Sequence, residues 1–225
     1  MENTTIDKKD ARMYIISYNT LRRAVGVLGI TFPIILVIGS IALDKENHIL
    51  NSISSYYHTS MGNGFVGIMC AVSLFMFSYL GHDYKDNIAG HLAGLFALGI
   101  AFFPNNTIDP STLINKLHLT SALLFFSVLI YFSLALFTKS DQPKPYSVQK
   151  RNRNRIYKIC GYTMACSILL IALYMALLKG KFPGLDNLEP VFWLESLALL
   201  AFGISWLTKG QVIYKDIKEE TENLQ

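Results

Sequence analysis

The sequence predicts an all-α fold, a polytopic bundle of six transmembrane helices with the N- and C-termini both cytoplasmic, forming one integral membrane domain over residues 1–225. Three observations predict it. Six apolar stretches, at 24–43, 64–81, 88–104, 117–137, 157–178 and 190–207, approach the ~20 residues a helix needs to cross a ~30 Å hydrocarbon core. A composition of 52% hydrophobic and 16% charged residues, with mean hydropathy +0.34, is too apolar for an ordinary soluble domain. Finally, sixteen of the twenty Lys and Arg residues fall in the N-terminal arm, the second and fourth loops and the C-terminal tail, against Lys45, Lys116, Lys179 and Lys181 in the others. Basic residues gather on the cytoplasmic side, so the net charge of +4 reads as orientation and not as a nucleic-acid surface.

The first span follows Arg22 and Arg23. It is long for a signal-peptide core and has no small-residue cleavage site behind it, so it is expected to stay in place as a helix. Pro33 removes a backbone hydrogen bond at its middle, where a kink is expected. Before the second span comes the run Ser52 to Ser60, too polar to cross and too aromatic to be a plain linker. Tyr56 and Tyr57 there are expected to act as interfacial anchors.

Between the second and third spans, His82, Asp83 and Asp86 lie on the cytoplasmic side, and Asp86 with Asn87 can cap the third helix and complement its dipole. In that helix Ala89, Ala93, Ala97 and Ala101 recur every four residues beside Gly90 and Gly94. Small residues at this spacing let a neighbouring backbone approach, which predicts a central helix. His91 on that face reads as a hydrogen-bonded core histidine.

Asn105-Asn106-Thr107 matches a glycosylation acceptor. The fourth loop joins Pro143 and Pro145 to Lys150, Arg151, Arg153 and Arg155, a cluster able to attract anionic lipid headgroups at about 1 kcal/mol per residue. Cys70, Cys160 and Cys166 all fall inside spans and read as small packing residues, with no pairing partner in the outer loops.

Candidate chemistry sits on the outer side. His58 lies in the Ser52–Ser60 run, His118 opens the fourth span, Glu195 lies about five residues into the sixth, and Asp109 follows the third. A carboxylate at that depth is ~7 Å below the helix start, and an ionisable group inside a membrane marks a functional site by default. Two imidazoles with one or two carboxylates can bind a divalent metal such as zinc or serve as an acid/base pair. The plainer reading is that they are interfacial groups reaching outward to water.

Two resemblances bear on function. The segment SISSYYHTSMGNGFVGI at 52–68, with Gly81-His82-Asp83-Tyr84-Lys85-Asp86-Asn87 and residues 97–104, resembles a group of uncharacterised bacterial six-helix membrane proteins grouped under a domain of unknown function, distantly similar to the Frag1/DRAM membrane proteins. It implies an inner-membrane location and no established reaction. Ser54-Ser55-Tyr56-Tyr57-His58 is similar to the Ser-x-x-x-His segment of the alkaline ceramidase and adiponectin-receptor-like hydrolases, where serine and histidine help build a zinc site. Only Ser54 and His58 carry over. Met69 stands where that family has an aspartate, the late His-x-x-x-His pair is absent, and six spans are predicted where the family has seven.

The leading expectation is a multi-pass inner-membrane protein whose outward polar site takes a lipid or hydrophobic small molecule. The enzymatic alternative is a zinc-dependent hydrolase of a lipid amide or ester, with His58, His118, Glu195 and Asp109 as ligands. In it Ser54, His58 and Glu195 would be the catalytic groups. A small-molecule transporter is third, with few intramembrane charges and no evident inverted repeat.

Overall fold

The computed structural model describes residues 8–45, 48–81, 83–105, 109, 111–140 and 147–214, with side chains from residue 18 onward. His82, Asn106, Thr107, Pro143, Pro145 and the tail beyond 214 lie outside the described residues. Every regular element described is helical: α1 (Lys8–Asp44), α2 (Gly62–Phe77), α3 (Tyr84–Phe102), α4 (Leu113–Tyr131), α5 (Val148–Leu173), a single turn α6 (Pro183–Asp186) and α7 (Pro190–Lys209). A 3-10 helix, Ile53–His58, precedes α2, and α4 and α5 each end in one π-helical turn, Phe132–Leu136 and Tyr174–Leu178. By length and composition four segments can cross a membrane: Tyr18–Asp44, Leu113–Leu136, Val148–Leu178 and Pro183–Lys209. Ile34, Ile38, Leu74, Leu95, Leu123 and Leu169 stand exposed on the flanks of the bundle, an apolar exterior that water would penalise and lipid would not.

Each predicted span corresponds to one long helix, though α2 is shorter than expected. Its 16 residues make a rod of about 24 Å. The helices form a closed ring in chain order, each packing on its neighbours, with α7 returning against α1. Thus α3 is one stave of this ring, between α2 and α4, and not the central helix its small residues suggested. Those residues do what their spacing predicts. Ala93, Ala97 and Ala101 are fully buried, a Cβ on Gly94 would lie 3.1 Å from the Phe77 ring, and the buried Ser73 hydroxyl donates to the Gly94 carbonyl at 2.8 Å. The α1–α7 contact is closer still: a Cβ on Gly203 would meet the Gly26 carbonyl at 2.6 Å. A second polar tie, Ser133 to Ser205 at 2.8 Å, joins the end of α4 to α7 inside the bundle, where hydrogen bonds between helices replace water as partner.

α1 stays helical through Pro33. Several other local expectations change. Asp83, and not Asp86 or Asn87, is the N-cap of α3, accepting from the Asp86 N–H at 3.1 Å. The Asn87 amide oxygen accepts instead from Gly81 N–H at 2.8 Å. His91 is exposed, its ring beside Phe77, so it is no core histidine. Tyr56 is 1% exposed, with its hydroxyl accepting from Leu50 N–H and its ring against Phe192. It is a core residue and not an interfacial anchor, because the 3-10 turn that carries it folds back over the ring.

The two ends of the ring differ. At one end Tyr79, Phe132, Phe137, Tyr157, Phe202 and Trp206 pack in tilted and edge-to-face pairs into a plug, with centroids such as Tyr79–Phe132 5.2 Å and Phe137–Trp206 5.3 Å apart. Basic side chains surround this plug. Lys139 bonds to Asp83 and Asp86, Lys150 donates to the Lys139 carbonyl at 2.7 Å, Arg23 to the Gly210 carbonyl at 2.8 Å and Arg153 to the Tyr214 carbonyl at 2.8 Å. Of the cluster expected to meet lipid headgroups, Lys150 and Arg153 are therefore already engaged by carbonyls, while Arg151 and Arg155 are exposed. The other end, around His58, is not plugged.

Candidate binding site at the His58 end

Two cavities open between the helices at this end, and they share two side chains. The rim chamber, about 190 Å³, is lined by Asn51, Ser52, Ser54, Asn105, Asn115, Leu119, Tyr174, Met175, Lys179, Glu189 and Glu195 among others. The deep chamber, about 50 Å³, is lined by Phe32, Phe65, Met69, Ile100, Phe125, Phe126, Leu199 and His118, together with Ser54 and Glu195. Ser54 and Glu195 stand at the junction of a polar chamber and an apolar one.

Local structure explains how they come there. Ser52 caps the 3-10 turn, its hydroxyl oxygen accepting from Ser55 N–H at 3.1 Å, and this turn delivers Ser54 to the cavities. From α7, Glu195 Oε2 accepts from the Ile53 N–H at 2.6 Å. That bond pins the turn to the ring and satisfies one of the donors that a helix start leaves free. Oε1 has no partner among the described residues. The π turn closing α5, sealed by Lys179 N–H to the Tyr174 carbonyl at 2.9 Å, places both Tyr174 and Lys179 on the rim wall. Inserted π turns often mark functional positions. Glu189 precedes α7 with φ of 49°, a left-handed conformation costly for a non-glycine residue and frequent around ligand sites.

The two predicted histidines meet the same segment but do separate jobs. His118 Nδ1 bonds to the Phe103 carbonyl at 2.7 Å and His58 Nε2 to the Asn105 carbonyl at 2.6 Å. A carbonyl only accepts, so each of these nitrogens carries the proton. Together they hold the chain where it leaves α3, satisfying carbonyls that the helix end exposes. His118 is 3% exposed and His58 is exposed. Asp109 lies apart on the surface, its carboxylate accepting from Ser111 N–H at 3.0 Å and Ser111 Oγ at 2.6 Å. The Ser111 hydroxyl holds that carboxyl below the usual carboxylate range.

Among the described residues no three His, Cys, Asp or Glu side chains gather as a group able to hold a metal ion. The zinc alternative drawn from His58, His118, Glu195 and Asp109 thus has no assembled ligand set on which a mechanism could be built. Residues that sequence reasoning did not place here include Asn105, Asn115, Tyr174, Lys179 and Glu189. One signal was available: Asn115 and His118 are three apart, hence on one face of α4, and a polar pair at the start of an apolar helix points inward.

No protein-family model, curated protein or solved structure matches this chain.

Proposed function

We propose that the chain is a six-span protein of the bacterial cytoplasmic membrane, with both termini inside, whose outward-facing cavities bind a lipid or hydrophobic small molecule. The observation that carries this reading is the junction at Ser54 and Glu195, where a chamber with polar walls meets one lined by aromatic and aliphatic side chains. Ligand sites are mostly apolar hollows with a few polar groups fixing orientation, and an amphiphile matches such a gradient head to rim and tail to depth. A route from the bilayer supports it. Leu119 on α4 and Met175 on α5 both line the rim chamber and are also exposed on the flank of the bundle, at 53% and 45%. The chamber wall therefore reaches the lipid-facing surface between those helices. Orientation follows from the basic residues, since the plugged end carries Lys139, Lys150, Arg153 and Lys209 and the cavity end few cations. At the plugged end Arg151 and Arg155 are exposed and can meet anionic headgroups.

The test is photolabelling. The protein in lipid nanodiscs is irradiated with a diazirine-bearing alkyl alcohol and the adducts are mapped by mass spectrometry. Adducts are expected on Met69 and Phe126 in the deep chamber, and Ala122→Phe, which fills that chamber from its own wall, should remove them while leaving labelling of the exposed Leu123. Adducts confined to Leu123 and similar flank residues would overturn the binding reading.

A further inference from the structure

We propose that the ligand's head is a cation, a primary ammonium on an apolar chain, and that Glu195 is the group that receives it. The inference rests on the cavity reading above and adds the chemical class. Glu195 at the junction and Asn105 on the rim wall each leave one acceptor without a partner. Glu195 gives Oε2 to Ile53 N–H and keeps Oε1 free toward the chambers. Asn105 lines the rim chamber at only 8% exposure, its backbone carbonyl is taken by His58, and its side-chain oxygen is buried with no hydrogen bond. A buried polar atom without a partner is costly, and a donor-rich head entering the rim chamber supplies partners of the kind both atoms lack.

Charge points the same way. Among the described residues lining the rim chamber, Glu195 and Glu189 stand against a single cation, Lys179, which is exposed after the last turn of α5. A carboxylate head would face two carboxylates there, and a hydroxyl head would supply only one donor. An ammonium brings three donors and the missing positive charge, making a charge-assisted bond to Glu195 Oε1 with further bonds open to Asn105 Oδ1 and Ser54 Oγ. Behind Glu195 the deep chamber, at about 50 Å³, takes a few methylenes and no more. Only the first carbons of the ligand's chain are accordingly enclosed there.

The full-length protein in phosphatidylcholine nanodiscs should be titrated by calorimetry with octylammonium, octanoate and octanol, against empty discs. Octylammonium is expected to bind, octanoate not to, and Glu195→Gln should weaken octylammonium by about tenfold or more. Asn105→Asp adds a second carboxylate at the junction and should tighten octylammonium, giving an independent arm should Glu195→Gln fail to fold. Octanoate binding as well as octylammonium, or an affinity for octylammonium unmoved by Glu195→Gln or by Asn105→Asp, overturns the cation assignment. If in that case Ala122→Phe still abolishes binding of all three, the cavity reading stands without it. If none of the three binds, both fall.

Discussion

His58 and His118 reach two carbonyls of one segment, Asn105 and Phe103, each through a single ring nitrogen. Their approach was visible in the sequence because both fall at the same end of the second and fourth spans, which flank the third. Their partners were not, because a backbone carbonyl carries no residue letter: Phe103 and Asn105 offer theirs only because α3 ends at Phe102. Glu195 was legible for the opposite reason, being a carboxylate inside an apolar run, though its bond to Ile53 depends on a turn that no periodicity announces. At the Lys139 end an ion pair makes a testable claim. Asp86, 2% exposed, accepts from Lys139 Nζ at 2.8 Å, and Asp83 accepts at 3.0 Å. The hydrogen bond to Asp86 raises the Lys139 pKa, so its contribution is complete below the ordinary lysine value of ~10.4 and is lost as pH climbs through the raised one. The Lys139 hydrogen bond lowers the Asp83 pKa, so that contribution is complete above ~3.9 and is lost as pH falls through the lowered value. Lys139→Met should cost about 1–3 kcal/mol by removing a buried carboxylate's partner. Thermal midpoints measured in detergent across pH should then show both limbs flattened, and an unchanged profile would refute the pairing.

Helices were legible where composition repeats and illegible where single residues decide. The alanine ladder of α3 announced a close contact four times over, and the contact with α2 is there. The tighter α1–α7 crossing depends on Gly26 and Gly203, lone glycines 177 positions apart in the chain, whose mutual approach only the ring closure reveals. The end of α2 was misjudged for a similar reason. Its apolar run continues past Phe77, but Tyr79 must turn inward to stack on Phe132 and Trp206, so tertiary packing stops the helix before the hydropathy does. Gly94→Leu and Gly203→Leu should each destabilise the bundle by about 1–3 kcal/mol or more, since a side chain would press on the Phe77 ring or the Gly26 carbonyl. Leu92→Ala, at a position 40% exposed, should cost much less. Thermal melting in detergent separates these, and equal midpoints for all three variants would mean that the glycine faces look into lipid.

For the whole molecule, all-helical architecture and a multi-pass pattern were readable because bilayer thickness sets helix length and leaves a plain mark on hydropathy. Ring order was not readable, since lipid-facing and neighbour-facing positions are equally apolar and only size distinguishes them. Orientation has its own test. In a background without Cys70, Cys160 and Cys166, single cysteines at Lys116 and Asn187 should react with a membrane-impermeant thiol reagent added to intact cells. Cysteines at Tyr84 and Val148 should react only after lysis, and the reverse pattern would invert the proposed topology. The aromatic plug has a consequence in electrical terms. The six packed rings that include Trp206 are a dry dielectric, whereas the chambers on the far side of Glu195 are open. A transmembrane potential falls mainly across the dry layer. A full crossing is worth about 2.3 kcal/mol per charge at 100 mV, and a cation stopping at Glu195 would traverse only a small part of that drop. Under the proposed orientation, occupancy of the site would follow the outside concentration of its ligand and stay nearly deaf to the cell's voltage.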